Sequence, residues 1–255
     1  MPRPVPANKM GHGGDPAAGG GLQRPIRVST PVEIIAHRGA NREAPENTLP
    51  AFQRALEIGV QGIELDIHLT RDGMPVVHHD PYLPETTRDG RRIPIAALEM
   101  AEVRDWSPAP TLDEVLYLVD GRCRLYVEIK AAAAVEPVVE RLKNRRSWCA
   151  VHSFDHRVSA KANSLDPGLA TGILLVSYLV DIAGAMRAAK ARDVWQQADF
   201  VDRELVGRVH GQGGRVIAWT VNEVARGRDL VDTGVDAICT DTPREILTAL
   251  APSPS

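Results

Sequence analysis

The chain has 255 residues, a formal net charge of -3 and three cysteines. This length fits one large domain or two small ones and is sufficient to bury a sizeable core. The charge gives no reason to expect nucleic acid or an anionic membrane as a partner, and no apolar run is long enough to span a bilayer. Cys123, Cys149 and Cys239 are too few and too scattered for a disulfide framework or a zinc cluster, so we expect reduced thiols.

The first 31 residues differ in composition from the rest of the chain. They are rich in Gly, Pro and Ala and contain no apolar segment of the kind found in secretory signals. A segment of this composition cannot bury enough apolar surface to order itself. We therefore expect a disordered lead-in over residues 1–31, a folded domain over residues 32–251 and a cytoplasmic location.

From residue 32 onward, strand patterns and amphipathic helix patterns alternate. Strands are predicted over residues 32–36, 62–69, 124–130, 149–154, 171–176, 199–201, 215–221 and 236–240. Helices are predicted within residues 47–59, 95–104, 111–119, 132–145, 155–164, 180–192, 204–210, 223–232 and 243–250. Asn47 is the predicted N-cap of the first helix, and Gly59 is its predicted C-terminal stop. Residues 75–80 form a further short strand, predicted to pair back on the second strand as a hairpin.

Eight strands, each followed by a helix, indicate an α/β protein with a parallel sheet. The number of units favours a closed TIM (βα)8 barrel over an open doubly wound sheet, with a short insertion after the second strand. A dinucleotide-binding fold is disfavoured because no GxGxxG turn follows the first strand. In a barrel, the chemistry is expected at the carboxyl ends of the strands.

The second strand carries two acidic residues inside an apolar pattern. Glu64, Asp66 and His68 alternate with aliphatic residues, so they project from one face of the strand. Two close carboxylates in a poorly hydrated place repel each other and lose solvation unless a cation lies between them. A hard-metal site and a solvated acidic face on an edge strand both fit this segment on its own.

In order along the chain, the motifs resemble those of the glycerophosphodiester phosphodiesterase family. The residues that carry the resemblance include Ile35-Ala36-His37-Arg38-Gly39, Pro45-Glu46-Asn47-Thr48, Ile63-Glu64-Leu65-Asp66, His79-Asp80, Val127-Glu128-Ile129-Lys130, Ser153-Phe154-Asp155, Trp219-Thr220-Val221-Asn222 and Thr240-Asp241. The resemblance implies a TIM barrel that hydrolyses small glycerophosphodiesters to an alcohol and glycerol 3-phosphate. It also implies one divalent cation bound by Glu64, Asp66 and Glu128. These all-oxygen ligands suit Mg²⁺ or Ca²⁺ better than zinc.

The remaining site residues follow from the same motifs. His37 and His79 are the acid and base candidates because imidazole titrates near neutral pH, although the sequence does not say which residue is which. Arg38 and Lys130 are the candidate phosphate ligands, and salt bridges to the nearby carboxylates are compatible with that role. Trp219 is expected to form a wall of the substrate pocket or to pack within the barrel.

Other residues near these motifs are given supporting roles. His78 competes with His79, but neighbouring strand residues point in opposite directions, and the motif selects His79. His68 is expected to be a core residue or to support a ligand, and Asp80 to orient His79.

The chain departs from the family pattern at Glu85, which precedes Thr86-Thr87 where the family usually has Arg. The insertion, residues 82–109, is also short. These departures leave the alcohol head group open, and the oligomeric state and the choice between direct water attack and a cyclic phosphate are open as well. One alternative is a lysophospholipase D, which needs an apolar slot that the short insertion does not offer. Another is a non-catalytic barrel that binds phosphodiesters. No stable membrane association is expected.

Overall fold

A computed structural model describes residues 32–86 and 92–251. The predicted lead-in at residues 1–31 lies outside the described residues, as do the side chains of Glu85, Thr86 and Thr87. The strands are β1 (Glu33–Ala36), β2 (Gly62–Leu69), β3 (Pro75–Val77), β4 (Tyr82–Thr86), β5 (Arg92–Pro94), β6 (Arg124–Ile129), β7 (Cys149–Ser153), β8 (Ala170–Leu175), β9 (Asp193–Gln197), β10 (Arg215–Trp219) and β11 (Ala237–Thr240). The α-helices are α1 (Leu49–Ile58), α2 (Met100–Trp106), α3 (Leu112–Val119), α4 (Val135–Leu142), α5 (His156–Leu165), α6 (Ile182–Ala189), α7 (Arg203–His210), α8 (Val224–Thr233) and α9 (Pro243–Leu250).

Eight of these strands form a closed parallel barrel. Neighbours pair in the order β1, β2, β6, β7, β8, β9, β10 and β11, and β11 pairs with β1 to close the ring. The predicted TIM barrel is therefore confirmed. The predicted hairpin is also confirmed, since β3 runs antiparallel to β2, although β3 ends at Val77 rather than at residue 80.

The barrel interior is filled by side chains and is not a pore. Trp195 and Tyr126 are its largest interior residues, and their rings meet edge to face with centroids 5.2 Å apart. They pack with apolar residues of other barrel strands, namely Ile35, Ala150, Leu174, Ile217, Ala237 and Cys239. Each strand is also apolar on its outer side, where the helices cover it. The polar groups near the carboxyl ends of β2, β6 and β7 therefore lie beside an apolar interior.

The cap of α1 differs from the sequence prediction by one residue. Thr48 is the N-cap, and its hydroxyl accepts a hydrogen bond from the Ala51 N–H. Asn47 instead adopts a left-handed backbone with φ of 57°. Its side chain donates a hydrogen bond to the Asp66 carboxylate of β2. The predicted stop at Gly59 is confirmed, with φ of 84°.

The sixth barrel strand was predicted in the wrong place. Residues 199 and 200 belong to a short 3-10 turn, Ala198–Phe200, and the strand is β9, which begins at Asp193. The sequence pattern hid this strand because four of its five residues are not aliphatic. Gln196 is nevertheless fully buried, and its amide donates to the carbonyls of Leu175 and Ser177. The preceding helix, α6, correspondingly ends at Ala189 instead of residue 192.

The insertion after β2 is short, as predicted, and has a small apolar core of its own. It contains the β4–β5 hairpin, a 3-10 turn at Ile95–Ala97 and α2, where the sequence predicted one helix over residues 95–104. Leu83, Ile95 and Val103 pack there against Val76 of β3.

Among the helices of the described residues, none has the length and apolar character needed to cross a bilayer. Cys123, Cys149 and Cys239 are buried free thiols.

The turn after β1 gives the first testable prediction. Gly39 has φ of 83°, and a Cβ added there would lie 2.8 Å from the backbone of Ala51. Gly73 has a similar φ of 79° but open space around it. Gly73→Ala should therefore lower the unfolding free energy by about 1 kcal/mol through backbone strain alone. Gly39→Ala should lower it by more than about 2 kcal/mol, because steric overlap adds to that strain. Chemical denaturation of both variants measures the difference, and equal losses would contradict the predicted overlap.

Candidate active site at the carboxyl ends of the strands

The strand register brings three polar residues to one level of the barrel. Asp66 of β2 pairs with Glu128 of β6, and Glu128 pairs in turn with His152 of β7. Glu64 precedes Asp66 by two residues, so it lies on the same face of β2. All four side chains are buried near the carboxyl ends of their strands. The predicted acidic residues therefore belong to one cluster.

Within this cluster, three residues have the spacing of metal ligands. Glu64, Glu128 and His152 each offer one ligand atom, and these atoms all lie within 4.8 Å of one another. The Asp66 carboxylate also has partners within the protein. It accepts a hydrogen bond of 2.8 Å from the Asn47 side chain and lies 3.2 Å from Lys130 Nζ. The sequence prediction for the metal named Glu64, Asp66 and Glu128, and His152 was not among its candidates.

The carboxylates differ in their electrostatic surroundings. Burial raises the pKa of Glu64 well above its usual range, and the nearby charges of Asp66 and Glu128 raise it further. Burial and the Asp66 charge raise the pKa of Glu128 to about 7. Burial would also raise the pKa of Asp66, but the charges of Lys130 and Arg38 outweigh it and lower that pKa. Of the three carboxylates, Glu64 is therefore the one whose negative charge is least neutralised by cationic side chains.

The donor set fits a divalent cation. Carboxylate oxygens bind hard divalent ions, and an imidazole nitrogen is a common ligand of transition metals. Several buried polar atoms also lack hydrogen-bond partners among the described residues, including His152 Nδ1 and Trp219 Nε1. Buried polar atoms are normally paired, but an N–H donor such as Trp219 Nε1 suits an anionic ligand and not a cation.

His152 carried only a weak signal in the sequence. It is the fourth residue of a five-residue strand, and it is fully buried against Trp195, with ring centroids 4.1 Å apart and planes 10° apart. Burial lowers the pKa of His152 to about 3, so the ring is neutral. The available clue was a polar residue near the carboxyl end of an apolar strand, as at Glu128. Only the register across β6 and β7 shows that the two residues are neighbours.

His37 follows β1 and faces the cluster. Its Nδ1 lies 2.7 Å from the Asp241 carboxylate, and its Nε2 lies 4.0 Å from Glu64. Asp241 also accepts hydrogen bonds from the side chains of Asn41 and Asn222. Burial would raise the pKa of Asp241, but the hydrogen bonds from His37, Asn41 and Asn222 lower it strongly. The Asp241 carboxylate thereby holds one side of the His37 ring and leaves Nε2 toward the acidic cluster.

His79 lies beyond the end of β3, beside the insertion. Its Nδ1 is 2.9 Å from Asp80, and its carbonyl is 3.0 Å from Nε2 of His68. Both His78 and His79 line a cavity of 260 Å³ together with Arg92 and residues of the β1–α1 loop. The predicted alternation does not separate the two histidines, because β3 ends before them. Asp80 contacts His79, which is the neighbour relationship predicted from the sequence.

The predicted phosphate ligands lie against the same carboxylates. Lys130 Nζ is 3.0 Å from Glu128, and Arg38 Nε is 3.2 Å from Asp66. The Arg38 guanidinium also donates to Glu46. Trp219 ends β10, and its ring meets Phe154 edge to face with centroids 5.6 Å apart. These positions place two cations and two aromatic rings at the carboxyl end of the barrel.

The buried charge of Glu64 predicts a conflict between stability and metal binding. Since its folded-state pKa is raised, Glu64 lowers the stability of the metal-free fold progressively as pH rises above its unfolded pKa of about 4.3. The contribution of Glu64 to metal-free stability should therefore fall as pH rises from 5 to 8. Glu64→Gln removes the charge and should raise the unfolding free energy at pH 8 by about 1 kcal/mol or more. Chemical denaturation in a chelator measures this effect.

The same variant should lose the stabilisation that an added divalent cation gives to the wild type. Glu140→Gln is the matched control, because Glu140 is an exposed residue of α4 and should change neither property. A Glu64→Gln protein that is less stable than the wild type without metal at pH 8 would contradict the account. Metal-induced stabilisation that persists in the variant would contradict it as well.

Comparisons with known proteins agree with this geometry. A model described as the glycerophosphoryl diester phosphodiesterase family matches residues 37–245. The glycerophosphodiester phosphodiesterase of Caldanaerobacter subterraneus subsp. tengcongensis is 30% identical over an alignment covering 84% of this chain and 96% of that protein. An Oleispira antarctica phosphodiesterase, solved with the product sn-glycerol-3-phosphate, is 27% identical with a TM-score of 0.77, covering 86% of this chain and 97% of that one.

A third protein extends the likeness. The glycerophosphodiester phosphodiesterase of Thermotoga maritima is 25% identical with a TM-score of 0.75, covering 85% of this chain and 97% of that one. The match therefore spans almost the whole barrel and includes the segments that carry His37, the acidic strand and Glu128. The chain belongs to the glycerophosphoryl diester phosphodiesterase family.

Proposed function

We propose that this protein hydrolyses small glycerophosphodiesters to an alcohol and glycerol 3-phosphate with the help of one divalent cation. The observation that carries the proposal is the carboxylate cluster of Glu64, Asp66 and Glu128, which His37 faces at the mouth of a barrel of this family. The likeness to a phosphodiesterase solved with sn-glycerol-3-phosphate supports the product.

The reaction needs charge neutralisation at the phosphate, a base and an acid. Glu64, Asp66 and Glu128 are the proposed ligands of the cation, which when bound neutralises charge on the nonbridging oxygens. Mg²⁺ and Ca²⁺ are the ions expected for carboxylate ligands alone. Arg38 and Lys130 are proposed to hold the phosphate: the guanidinium offers a planar fork, and the ammonium offers a point charge.

The two histidines have matching surroundings. Nδ1 of His37 lies against Asp241, and Nδ1 of His79 lies against Asp80. Each carboxylate orients its ring and leaves Nε2 for proton transfer. One histidine is proposed to accept the proton of the nucleophile, and the other to protonate the leaving oxygen. Trp219 and Phe154 border the alcohol side of the site.

A second substrate class is favoured by exposed apolar side chains at the same end of the barrel. Phe154 follows β7, Val176 and Val180 follow β8, and Phe200 follows β9; we call these four residues the apolar rim. Their exposed fractions range from 39% to 84%. The rim lies on the loops after β7, β8 and β9, away from the short insertion after β2 in which the sequence predicts no apolar slot. A lysophospholipid with its acyl chain on this rim is therefore the alternative substrate.

The direct test of the proposal is release of glycerol 3-phosphate from glycerophosphocholine. The protein is first stripped of metal and then supplied with Mg²⁺ or Ca²⁺ in turn. We expect no turnover without metal and restored turnover with at least one ion, because the carboxylates alone repel the anionic substrate. Unchanged turnover after stripping would contradict the metal requirement. No turnover with any ion, together with intact substrate binding, would favour the non-catalytic barrel.

The role of His79 has a control in the adjacent residue. His79→Ala should reduce kcat by at least about 100-fold, because it removes a proton-transfer group. Metal affinity should stay the same. His78→Ala removes an identical side chain from the same cavity and should reduce kcat by much less. Similar losses in the two variants would overturn the assignment to His79.

The apolar rim has a separate test. Replacing Val176 and Val180 together by Asn should lower kcat/KM for lysophosphatidylcholine about fivefold or more, through lost acyl-chain burial. The value for glycerophosphocholine, which has no acyl chain, should not change. Equal effects on both substrates would rule out acyl binding at the rim.

A further inference from the structure

We propose that His152 is a nitrogen ligand of the cation and that it makes this site prefer first-row transition ions, such as Mn²⁺ and Co²⁺, over Mg²⁺ and Ca²⁺. The proposal rests on the metal site of the proposed function, but it concerns ion selectivity. It adds a fourth side chain to the carboxylates predicted from the sequence.

The position of His152 matches that of a ligand. It pairs with Glu128 across the β6–β7 ladder, and its Nε2 lies 3.9 Å from Glu64 Oε1. Two ligands that are each about 2.2 Å from a shared ion lie at most about 4.4 Å apart. The 3.9 Å separation is too long for a hydrogen bond, but it falls within the range for two ligands of one ion.

The other histidines of the described residues show why this arrangement needs an explanation. Each of them has a ring nitrogen within hydrogen-bond distance of a protein oxygen; they are His37, His68, His78, His79, His156 and His210. His152 is as buried as any of them, and its Nδ1 has no partner. A buried nitrogen without a hydrogen bond loses its hydration and gains no partner in exchange. Packing on Trp195 fixes the ring plane but gives Nδ1 no such partner.

A cation between His152 and the carboxylates would bind Nε2, the imidazole nitrogen that lies toward Glu64, and would screen the repulsion between Glu64 and Glu128. Nδ1 would then carry the ring proton. Imidazole is a softer donor than carboxylate, so Mn²⁺ and Co²⁺ gain more from it than Mg²⁺ and Ca²⁺, which favour oxygen. The consequence is a site whose ion preference differs from that of an all-carboxylate site.

The first experiment uses the wild-type protein alone. Metal-stripped protein is loaded with Mn²⁺, and pulsed electron paramagnetic resonance records nitrogen hyperfine coupling. Directly bound imidazole should give a ¹⁴N signal that changes to a ¹⁵N signal after labelling with ¹⁵N-histidine. A bound Mn²⁺ with no histidine nitrogen signal would overturn the proposal without any variant.

Variants then assign the signal to a residue. The signal should persist in His37→Gln, whose ring also lies near Glu64, and in His156→Gln, a histidine at the start of α5. It should vanish in His152→Gln, provided that variant melts cooperatively. The ratio of the Mg²⁺ dissociation constant to that of Mn²⁺ should fall at least tenfold in His152→Gln. Loss of the signal in His37→Gln instead, or an unchanged ratio in His152→Gln, would overturn the proposal.

These measurements need no substrate. A histidine signal in a protein that lacks phosphodiesterase activity would support the ligand and refute the proposed function. Activity with Mn²⁺ but no histidine signal would support the proposed function and refute His152 as a ligand.

Discussion

Repulsion among buried carboxylates is the constraint on which the site depends. Glu64, Asp66 and Glu128 lie close together where water cannot solvate them. Lys130 and Arg38 compensate Asp66, but the raised pKa of Glu64 and Glu128 shows that this compensation is incomplete. Such an arrangement destabilises the fold without a further cation, and functional sites commonly retain this kind of cost. The cluster therefore favours uptake of positive charge, either as protons or as a metal ion.

The barrel excludes water from one side of the cluster and so strengthens the interactions among these charges. Interior residues such as Trp195 and Tyr126 close the space beneath the cluster, so the carboxylates have protein on that side instead of water. The charges therefore interact more strongly than they would in solvent. Asp241 and Asp80 orient the histidines from loops after different strands. The barrel strands hold the carboxylates, while the neighbouring loops carry the two histidines proposed for proton transfer.

The sequence predicted the parts of this arrangement that local patterns encode. The alternation in β2 and the repeated strand–helix units predicted the barrel and the acidic strand. Three features escaped because they depend on contacts between distant segments. β9 contains polar residues such as Gln196, which are buried only because neighbouring strands accept their hydrogen bonds. His152 joins the cluster through strand register, and His78 faces the same cavity as His79 because β3 ends early.

The central claim is that the acidic cluster binds a metal ion which in turn contacts the phosphate. It is tested most directly by anomalous diffraction from crystals containing Mn²⁺ and sn-glycerol 3-phosphate. The account predicts one strong manganese peak bounded by the carboxylates of Glu64 and Glu128, with a phosphate oxygen among the ligands of the ion. A phosphate bound by Arg38 and Lys130 with no manganese in the cluster would contradict it.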